Sequence, residues 1–326
     1  MEQQNNEATS ASGPSRRTIV KGAAWSLPLI ATAIAAPSAS ASTTVSIGSG
    51  STPSPAGTCT TLGTLVFTIT TQPAGGAVSN VAVAVTLPAG FSWPDNSTGS
   101  KTFLSDSSGN VTVSGVQVAS APGSYSVIAQ ITPGGQTAIV PVTVTGVWIG
   151  DKVGYSGSGV YPIFFSKPAD PANPGTPDDW AYCIENQVSA RTDTAGQVGD
   201  ASSYLGSNFF TDPAVRAKVL WVLAHSYPAL SLSAFGTAVG VPGISQSDAI
   251  EATQYAIWRY TELTFDAAWA WETADSEAAY WYLVNGANAA GGAPGTPSVV
   301  SVPTADCGTP TPGDHAQSMI LVAASV

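Results

Sequence analysis

The chain has 326 residues and a formal net charge of −11, and only 10% of its residues are charged. Such an acidic chain has no basic footprint for nucleic acid or anionic lipid, which excludes these two classes of partner. Two histidines and three scattered cysteines offer no metal-ligand spacing, and the sequence has no glycine-rich phosphate loop. We therefore predict neither a metal nor any other cofactor.

Residues 1–41 have the pattern of a signal peptide. The Arg16-Arg17 pair precedes an apolar stretch over residues 22–36, and Ala39-Ser40-Ala41 is an A-x-A cleavage site. The arginine pair favours twin-arginine export over the general secretory route. We expect a secreted protein, extracellular or associated with a cell surface. The sequence shows no Leu-Pro-x-Thr-Gly sorting motif and no later apolar run of the roughly 20 residues that a membrane span needs.

Residues 42–145 are predicted to form an Ig-like β-sandwich. Short β-rich runs alternate with turns rich in glycine, proline and asparagine, at the spacing typical of a sandwich. The predicted strands cover residues 64–70, 81–87, 111–113, 125–131 and 138–144. The stretches 105–113 and 122–127 resemble the Ig-like repeats of bacterial invasins, which implies a stalk-like role.

Residues 146–326 are predicted to form a β-scaffold with an inserted helical subdomain, so the whole chain is mainly β with some α. We predict strands at 147–149, at 161–165, around Cys183 and from residue 298 onward, with loops at 167–177 and 191–208. Between them we predict three helices. The first starts at Thr211-Asp212-Pro213 and ends near Ser226, the second starts near Ser247, and the third covers 265–284 and stops at Asn285-Gly286.

Cys183 lies in an aromatic-rich predicted strand over residues 178–185. Because successive strand residues point to opposite faces, Cys183 shares its face with Ala181 and Glu185. The large side chains point the other way: Trp180, Tyr182 and Ile184. Ala181 is small and leaves space beside the sulfur.

Gln254 lies in the middle of the apolar stripe of the second predicted helix. The stripe recurs with a period close to 3.6 at Ile250, Ile257, Trp258 and Thr261. Burying an unpartnered glutamine amide costs on the order of 1–3 kcal/mol. This side chain therefore needs a hydrogen-bond partner or a reaction.

The thiol of Cys183 and the carboxamide of Gln254 suggest one such reaction. Attack of the thiol on the carboxamide releases ammonia and leaves an intramolecular thioester, which stores an activated acyl group. The Tyr182-Cys183-Ile184 strand and the helix from Thr253 to Trp258 together resemble the thioester domains of Gram-positive surface adhesins. The mark of that family is an aromatic-Cys-aliphatic strand followed by a Thr-Gln-x-Ala-aliphatic-Trp helix. The resemblance covers residues 147–326 and depends on the two motifs occurring together.

This resemblance implies a single-turnover covalent binder and not an enzyme. An amine such as a lysine side chain, on a protein or another amine-bearing surface ligand, attacks the Gln254 acyl carbon. Cys183 then leaves, and an isopeptide cross-link joins the two molecules. The remaining motif residues either shield the thioester from water or are ordinary core: Tyr182, Ile184, Thr253, Ala256 and Trp258.

A general base near the pair would help to deprotonate the attacking amine. The sequence nominates His225, which lies between the two motifs, and secondarily Glu185 and Glu262. A lone helical histidine is more often structural. His315, in a loop rich in glycine and proline, has no partner that the sequence reveals.

The odd cysteine count fits a thioester at Cys183. If Cys183 is used in this way, Cys59 and Cys307 can form a disulfide or stay free, and the sequence leaves both open.

Two other classes of function remain as alternatives. A cysteine-nucleophile enzyme of the peptidase or transglutaminase type would use Cys183 with His225, but the glycine-rich turn of such enzymes is missing and the match at 253–258 stays unexplained. A non-covalent stalk module would need neither residue, and Cys183 and Gln254 would then be ordinary buried side chains.

Overall fold

The computed structural model describes residues 44–73, 75–262, 265–266, 271–307 and 310–322, so the predicted signal peptide lies outside the described residues. The strands are β1 (Thr44–Ser49), β2 (Ala56–Gly57), β3 (Leu65–Gln72), β4 (Ala82–Thr86), β5 (Ser100–Leu104), β6 (Asn110–Val113), β7 (Gly123–Ile131), β8 (Thr137–Thr145), β9 (Val147–Ile149), β10 (Val160–Phe164), β11 (Asp179–Cys183), β12 (Thr194–Gly199), β13 (Val299–Val302) and β14 (Ala316–Leu321). The α-helices are α1 (Pro213–Ala224), α2 (Leu232–Val239), α3 (Gln246–Thr261) and α4 (Ala274–Ala290). None of the helices in the described part of the chain combines the length and hydropathy that a membrane crossing requires.

The first part of the chain forms two β-sheets around a common hydrophobic core. One sheet has the strand order β1–β3–β6 and the other β2–β8–β7–β4–β5. Alternation along the strands produces the core: in β8, Ala138, Val140, Val142 and Val144 are buried and the residues between them are exposed. The sequence did not reveal β1, β2 and β5. All three are edge strands with few buried side chains, so their sequences lack a clear alternation of buried apolar and exposed polar residues.

A second hydrophobic core belongs to a closed six-stranded barrel with the strand order β10–β11–β14–β13–β12–β9. β11 lies between β10 and β14, with Ala181 opposite Tyr161 and Cys183 opposite Met319. The chain is therefore mainly β with some helix. The division into domains at residue 145 stays a prediction.

The helices are inserted between the adjacent barrel strands β12 and β13. α1 begins as predicted, because the Asp212 carboxylate accepts a hydrogen bond from Ala214 N (2.8 Å) and Pro213 occupies the first turn. α3 follows the Ser245 cap, whose hydroxyl accepts a hydrogen bond from Asp248 N (3.1 Å). α3 packs against α1, α4 and β11. It is thus the helix that brings side chains to the cysteine strand.

The third predicted helix is wrong in its bounds. α4 starts after the Thr273 cap and continues through Asn285 and Gly286 to Ala290. Its C-terminal cap is Gly291, which has a left-handed φ of 72°. Gly286 is not a stop signal but a contact point, since a Cβ there would overlap the ring of Trp221 on α1. The glycine lets the two helices approach each other.

Two elements lie where the sequence predicted none. β12 occupies part of the predicted loop 191–208. Its sequence, Thr-Ala-Gly-Gln-Val-Gly, has little strand propensity, and pairing with β9 and β13 imposes the strand. α2 is short, but it carries local signals: the Ser231 side chain caps its first turn, and Gly240 ends it in the left-handed conformation.

Candidate functional site

Cys183 lies at the end of β11, where the barrel meets α3. Its side chain is only 3% exposed and is a free thiol. The structure joins the other two cysteines, Cys59 and Cys307, in a disulfide that connects the first β-module to the loop before β14. Cys183 is consequently the cysteine whose sulfur is available for chemistry.

Gln254 is fully buried and holds the backbone of Cys183 through both ends of its carboxamide. Cys183 N donates to Gln254 Oε1 (3.0 Å), and Gln254 Nε2 donates to Cys183 O (2.8 Å). The two residues are 71 positions apart in the sequence. The structure therefore brings the two motifs together, and the buried amide has the partner that its burial requires.

A cavity of about 160 Å³ adjoins this pair. Exposed residues form its rim, and buried ones its floor. The rim includes Lys152, Ser156 and Gly157, and the floor includes Ser158, Tyr161, Cys183, Gln254, Trp258 and Gln317. No histidine, aspartate or glutamate is among the described residues that line this cavity.

The surroundings of the sulfur favour the neutral thiol. Burial raises the pKa of Cys183 to about 12, although the Tyr161 hydroxyl, the Gln317 side chain and the charge of Lys152 each act to lower it. Burial, together with the nearby Cys183, also raises the pKa of Tyr161. At neutral pH the thiol therefore keeps its proton, unlike the activated thiolate of a cysteine-nucleophile enzyme.

Lys152 places a fixed positive charge at the rim of the cavity. Its Nζ donates to the carbonyl oxygens of Tyr155 (2.9 Å) and Ser156 (2.6 Å). The stem of the side chain crosses Gly159, where a Cβ would overlap it. These two hydrogen bonds hold the ammonium group of Lys152 beside the cavity. Sequence reasoning missed Lys152, Tyr161 and Gln317, because nothing local relates them to Cys183.

The remaining motif residues fix the strand and the helix. The Tyr182 hydroxyl donates to Tyr227 O (2.7 Å), and the Thr253 hydroxyl donates to Ala249 O (2.7 Å) within α3. Ile184 N donates to Ser318 O (2.9 Å). Ile184, Ala256 and Trp258 are buried, and Trp258 also lines the cavity. These contacts fix the positions of the strand that carries Cys183 and the helix that carries Gln254.

The structure does not bring His225 to the cavity. His225 caps the end of α1, where its Nδ1 lies 2.8 Å from Trp221 O and its ring stacks on Trp221 at a centroid distance of 3.9 Å. Glu262, a secondary candidate, accepts from Asn186 N (3.1 Å) and Asn208 Nδ2 (2.8 Å). Both side chains are engaged in local structural contacts, so neither geometry supports a role as general base.

His315 has a partner that the sequence did not reveal. Its Nε2 lies 3.1 Å from each carboxylate oxygen of Glu185, and both side chains are less than one-tenth exposed. Glu185 also accepts from Ser318 N (3.0 Å). The pair joins the residues after β11 to β14 and so supports the wall of the cavity that carries Gln317. A separation of 130 residues hides this contact from local sequence patterns.

Groups that could hold a metal are absent from the described residues: nowhere do three or more His, Cys, Asp or Glu side chains gather. The site thus consists of the Cys183–Gln254 pair, its cavity and the cation of Lys152.

Comparison with known proteins identifies the family of this segment. The family model of the thioester domain matches residues 180–289, a range that contains α3 and all of β11 except Asp179. No curated protein matches the chain. Residues 180–289, with Cys183 and Gln254 among them, thus belong to the thioester-domain family.

Proposed function

We propose that Cys183 and Gln254 form an internal thioester that reacts once with an amine on a target molecule and binds it covalently. The observation that carries this proposal is the pairing of the Gln254 carboxamide with the Cys183 backbone inside a segment that belongs to the thioester-domain family. The hydrogen bonds alone would also satisfy a glutamine with no reaction to perform. The family match is therefore the reason to assign chemistry to the pair.

Thioester formation needs no external reactant. The Cys183 sulfur adds to the Gln254 carbonyl carbon, the C–N bond breaks, and the thiol proton leaves with the amide group as ammonia. Cys183 N already donates to Gln254 Oε1 and so stabilises the negative charge that this oxygen gains during addition. The adjoining cavity offers a path by which ammonia leaves the site.

In the reaction with a target, Gln254 again supplies the acyl carbon, and Cys183 becomes the leaving group. A neutral amine attacks the Gln254 acyl carbon, a C–N bond forms, and the C–S bond breaks. The proton lost by the amine passes to the sulfur, whose raised pKa makes it a good acceptor. This transfer completes the reaction without a separate base, in agreement with a cavity whose described lining contains no histidine, aspartate or glutamate.

The proposed setting is outside the cell, as a secreted or surface-displayed adhesin. A signal peptide over residues 1–41 would export the chain, and an Ig-like module at 42–145 would serve as its stalk. A lysine on a surface protein, or another amine-bearing surface ligand, is the proposed target. The acidity of the chain favours a cationic partner, because opposite charges steer two molecules together.

The two alternatives receive less support. A cysteine-nucleophile enzyme needs a reactive thiolate, but burial keeps the Cys183 thiol protonated, and His225 lies at the end of α1. A purely non-covalent stalk gives no reason for the family match over residues 180–289.

Amine incorporation tests this function directly. Purified protein is incubated with methylamine, and the modified residue is located by peptide mass spectrometry. The proposal predicts one methylamide on Gln254 and one newly titratable thiol at Cys183. The Cys183→Ala variant is the matched control and should take up none. Continued turnover of a peptide or amine substrate would instead identify an enzyme.

A further inference from the structure

Unpartnered polar groups are concentrated at the cavity. Among the described residues, the buried side-chain atoms without a hydrogen-bond partner are Ser158 Oγ, Trp258 Nε1, Gln317 Nε2 and Ser318 Oγ. The first three belong to residues that line the cavity with Cys183 and Gln254. Ser158 is 2%, Trp258 6% and Gln317 4% exposed. Three separate elements thus contribute a hydrogen-bond donor to one small site.

Folding alone does not account for this arrangement. Nearly all buried polar groups in native proteins have partners, because an unpaired donor loses its hydration without replacement. A group of them beside a reactive pair indicates acceptors that gain their negative charge during the reaction. Reserved donors of this kind stabilise charge that develops in a transition state.

We propose that Ser158, Trp258 and Gln317 form a donor set for the negative charge that develops on the Gln254 acyl oxygen and the Cys183 sulfur during amine attack. This inference rests on the proposed thioester. Trp258 follows Gln254 by four residues on α3, so the two side chains lie on the same helix face. Ser158 precedes β10, and Gln317 belongs to β14, the strand beside Cys183.

The donors act at different steps of the reaction. When the neutral amine attacks, the C–N bond forms and the acyl oxygen gains a negative charge, which accepts from Trp258 Nε1 and Ser158 Oγ. As the intermediate collapses, the C–S bond breaks and the sulfur gains charge, which accepts from Gln317 Nε2. The amine proton then moves to the sulfur, leaving an amide and a thiol. The Gln317 side chain already acts to lower the pKa of the Cys183 thiol, as expected of a donor close to the sulfur.

A structural role and a catalytic role predict opposite effects of mutation. Replacing an unpaired buried donor with an apolar group of similar size removes a desolvation penalty, so the fold should be as stable as the wild type or more stable. The same replacement should slow the reaction. Gln317→Met and Ser158→Ala make this change with little loss of packing.

The experiment measures the rate of methylamine addition to the full chain by intact mass, together with the melting temperature. Gln317→Met and Ser158→Ala should each react about 10- to 1,000-fold more slowly than the wild type, with melting temperatures that are unchanged or raised. Ser318→Ala is the matched control, because Ser318 Oγ is also buried and unpaired but is not part of the cavity lining. It should react at the wild-type rate.

The outcomes separate this inference from the proposed function. Wild-type rates in Gln317→Met and Ser158→Ala would overturn the donor set and leave the thioester intact. Equal slowing in all three variants would also overturn it. A folded variant that never loses ammonia supports the donor set, since thioester formation passes through the same oxyanion. A wild-type chain that never loses ammonia refutes the thioester itself, and the donor set with it.

Discussion

Opening the thioester with methylamine should destabilise the protein by a predictable amount. The proposed bond joins residues 71 positions apart, so it closes a long loop of the unfolded chain in the way that a disulfide does. Loop-closure entropy for this length gives a stabilisation of about 4 kcal/mol. Methylamine removes the bond, but the new amide N–H again donates to Cys183 O, which restores about 1 kcal/mol. The net loss is then about 3 kcal/mol.

Thermal unfolding measures this loss. With an unfolding entropy of about 2.1 cal/mol/K per residue, a change of about 3 kcal/mol lowers the melting temperature of this 326-residue chain by roughly 4–5 °C. The wild type is melted before and after methylamine treatment, with free amine removed, and the Cys183→Ala variant is treated in parallel. Cys183→Ala should melt close to the methylamine-treated wild type and should not respond to the amine.

Two results would refute this reasoning. A wild type that gains one methylamine in mass and keeps its melting temperature would show that no bond closes the loop between β11 and α3. An equal response of Cys183→Ala would show a general effect of the amine on the protein. The disulfide Cys59–Cys307 is the same in every sample and does not contribute to the difference.

Three further predictions concern the general base, the buried Glu185–His315 pair and the contact between α1 and α4. Because the buried thiol has a pKa of about 12 and can take the amine proton, the addition rate should follow the neutral fraction of the amine, rising about tenfold per pH unit below the amine pKa. His225→Phe should leave this profile unchanged, and a departure from it in the wild type that the variant abolishes would instead show a histidine base. Glu185→Gln weakens the contact with His315 and should lower the free energy of unfolding by about 1–3 kcal/mol in a denaturant titration; an unchanged midpoint and slope would contradict it. Gly286→Ala forces a Cβ into the Trp221 ring and should cost about 1–3 kcal/mol of stability without preventing ammonia loss, so a higher melting temperature would be evidence against this packing contact.

Sequence patterns predicted the local elements of the site but not the contacts between residues far apart in the chain. The buried stripe around Gln254 and the alternation around Cys183 are periodic patterns, and each can be recognised within about ten residues. The Asp212-Pro213 helix start is equally local. The pairing of the Gln254 carboxamide with the Cys183 backbone, by contrast, depends on how α3 meets the barrel.

The incorrect predictions have the same origin. Gly286 resembles a helix stop until its contact with Trp221 is seen, and β12 becomes a strand only through its neighbours in the barrel. His315 reaches Glu185 across 130 residues, and Gln317 and Lys152 reach the sulfur from distant parts of the chain. Tertiary contacts that cross the barrel leave no trace in local composition, so sequence patterns identified Cys183 and Gln254 as a candidate pair but missed the residues around them.

The mass of the intact, freshly purified protein tests the central claim most directly. A Cys183–Gln254 thioester makes the wild-type chain lighter by one ammonia than its sequence, after allowance for the disulfide and any removed signal peptide. The Cys183→Ala variant, purified in the same way, should have the full mass of its own sequence. A wild-type mass that shows no loss of ammonia in protein never exposed to amines would contradict the account.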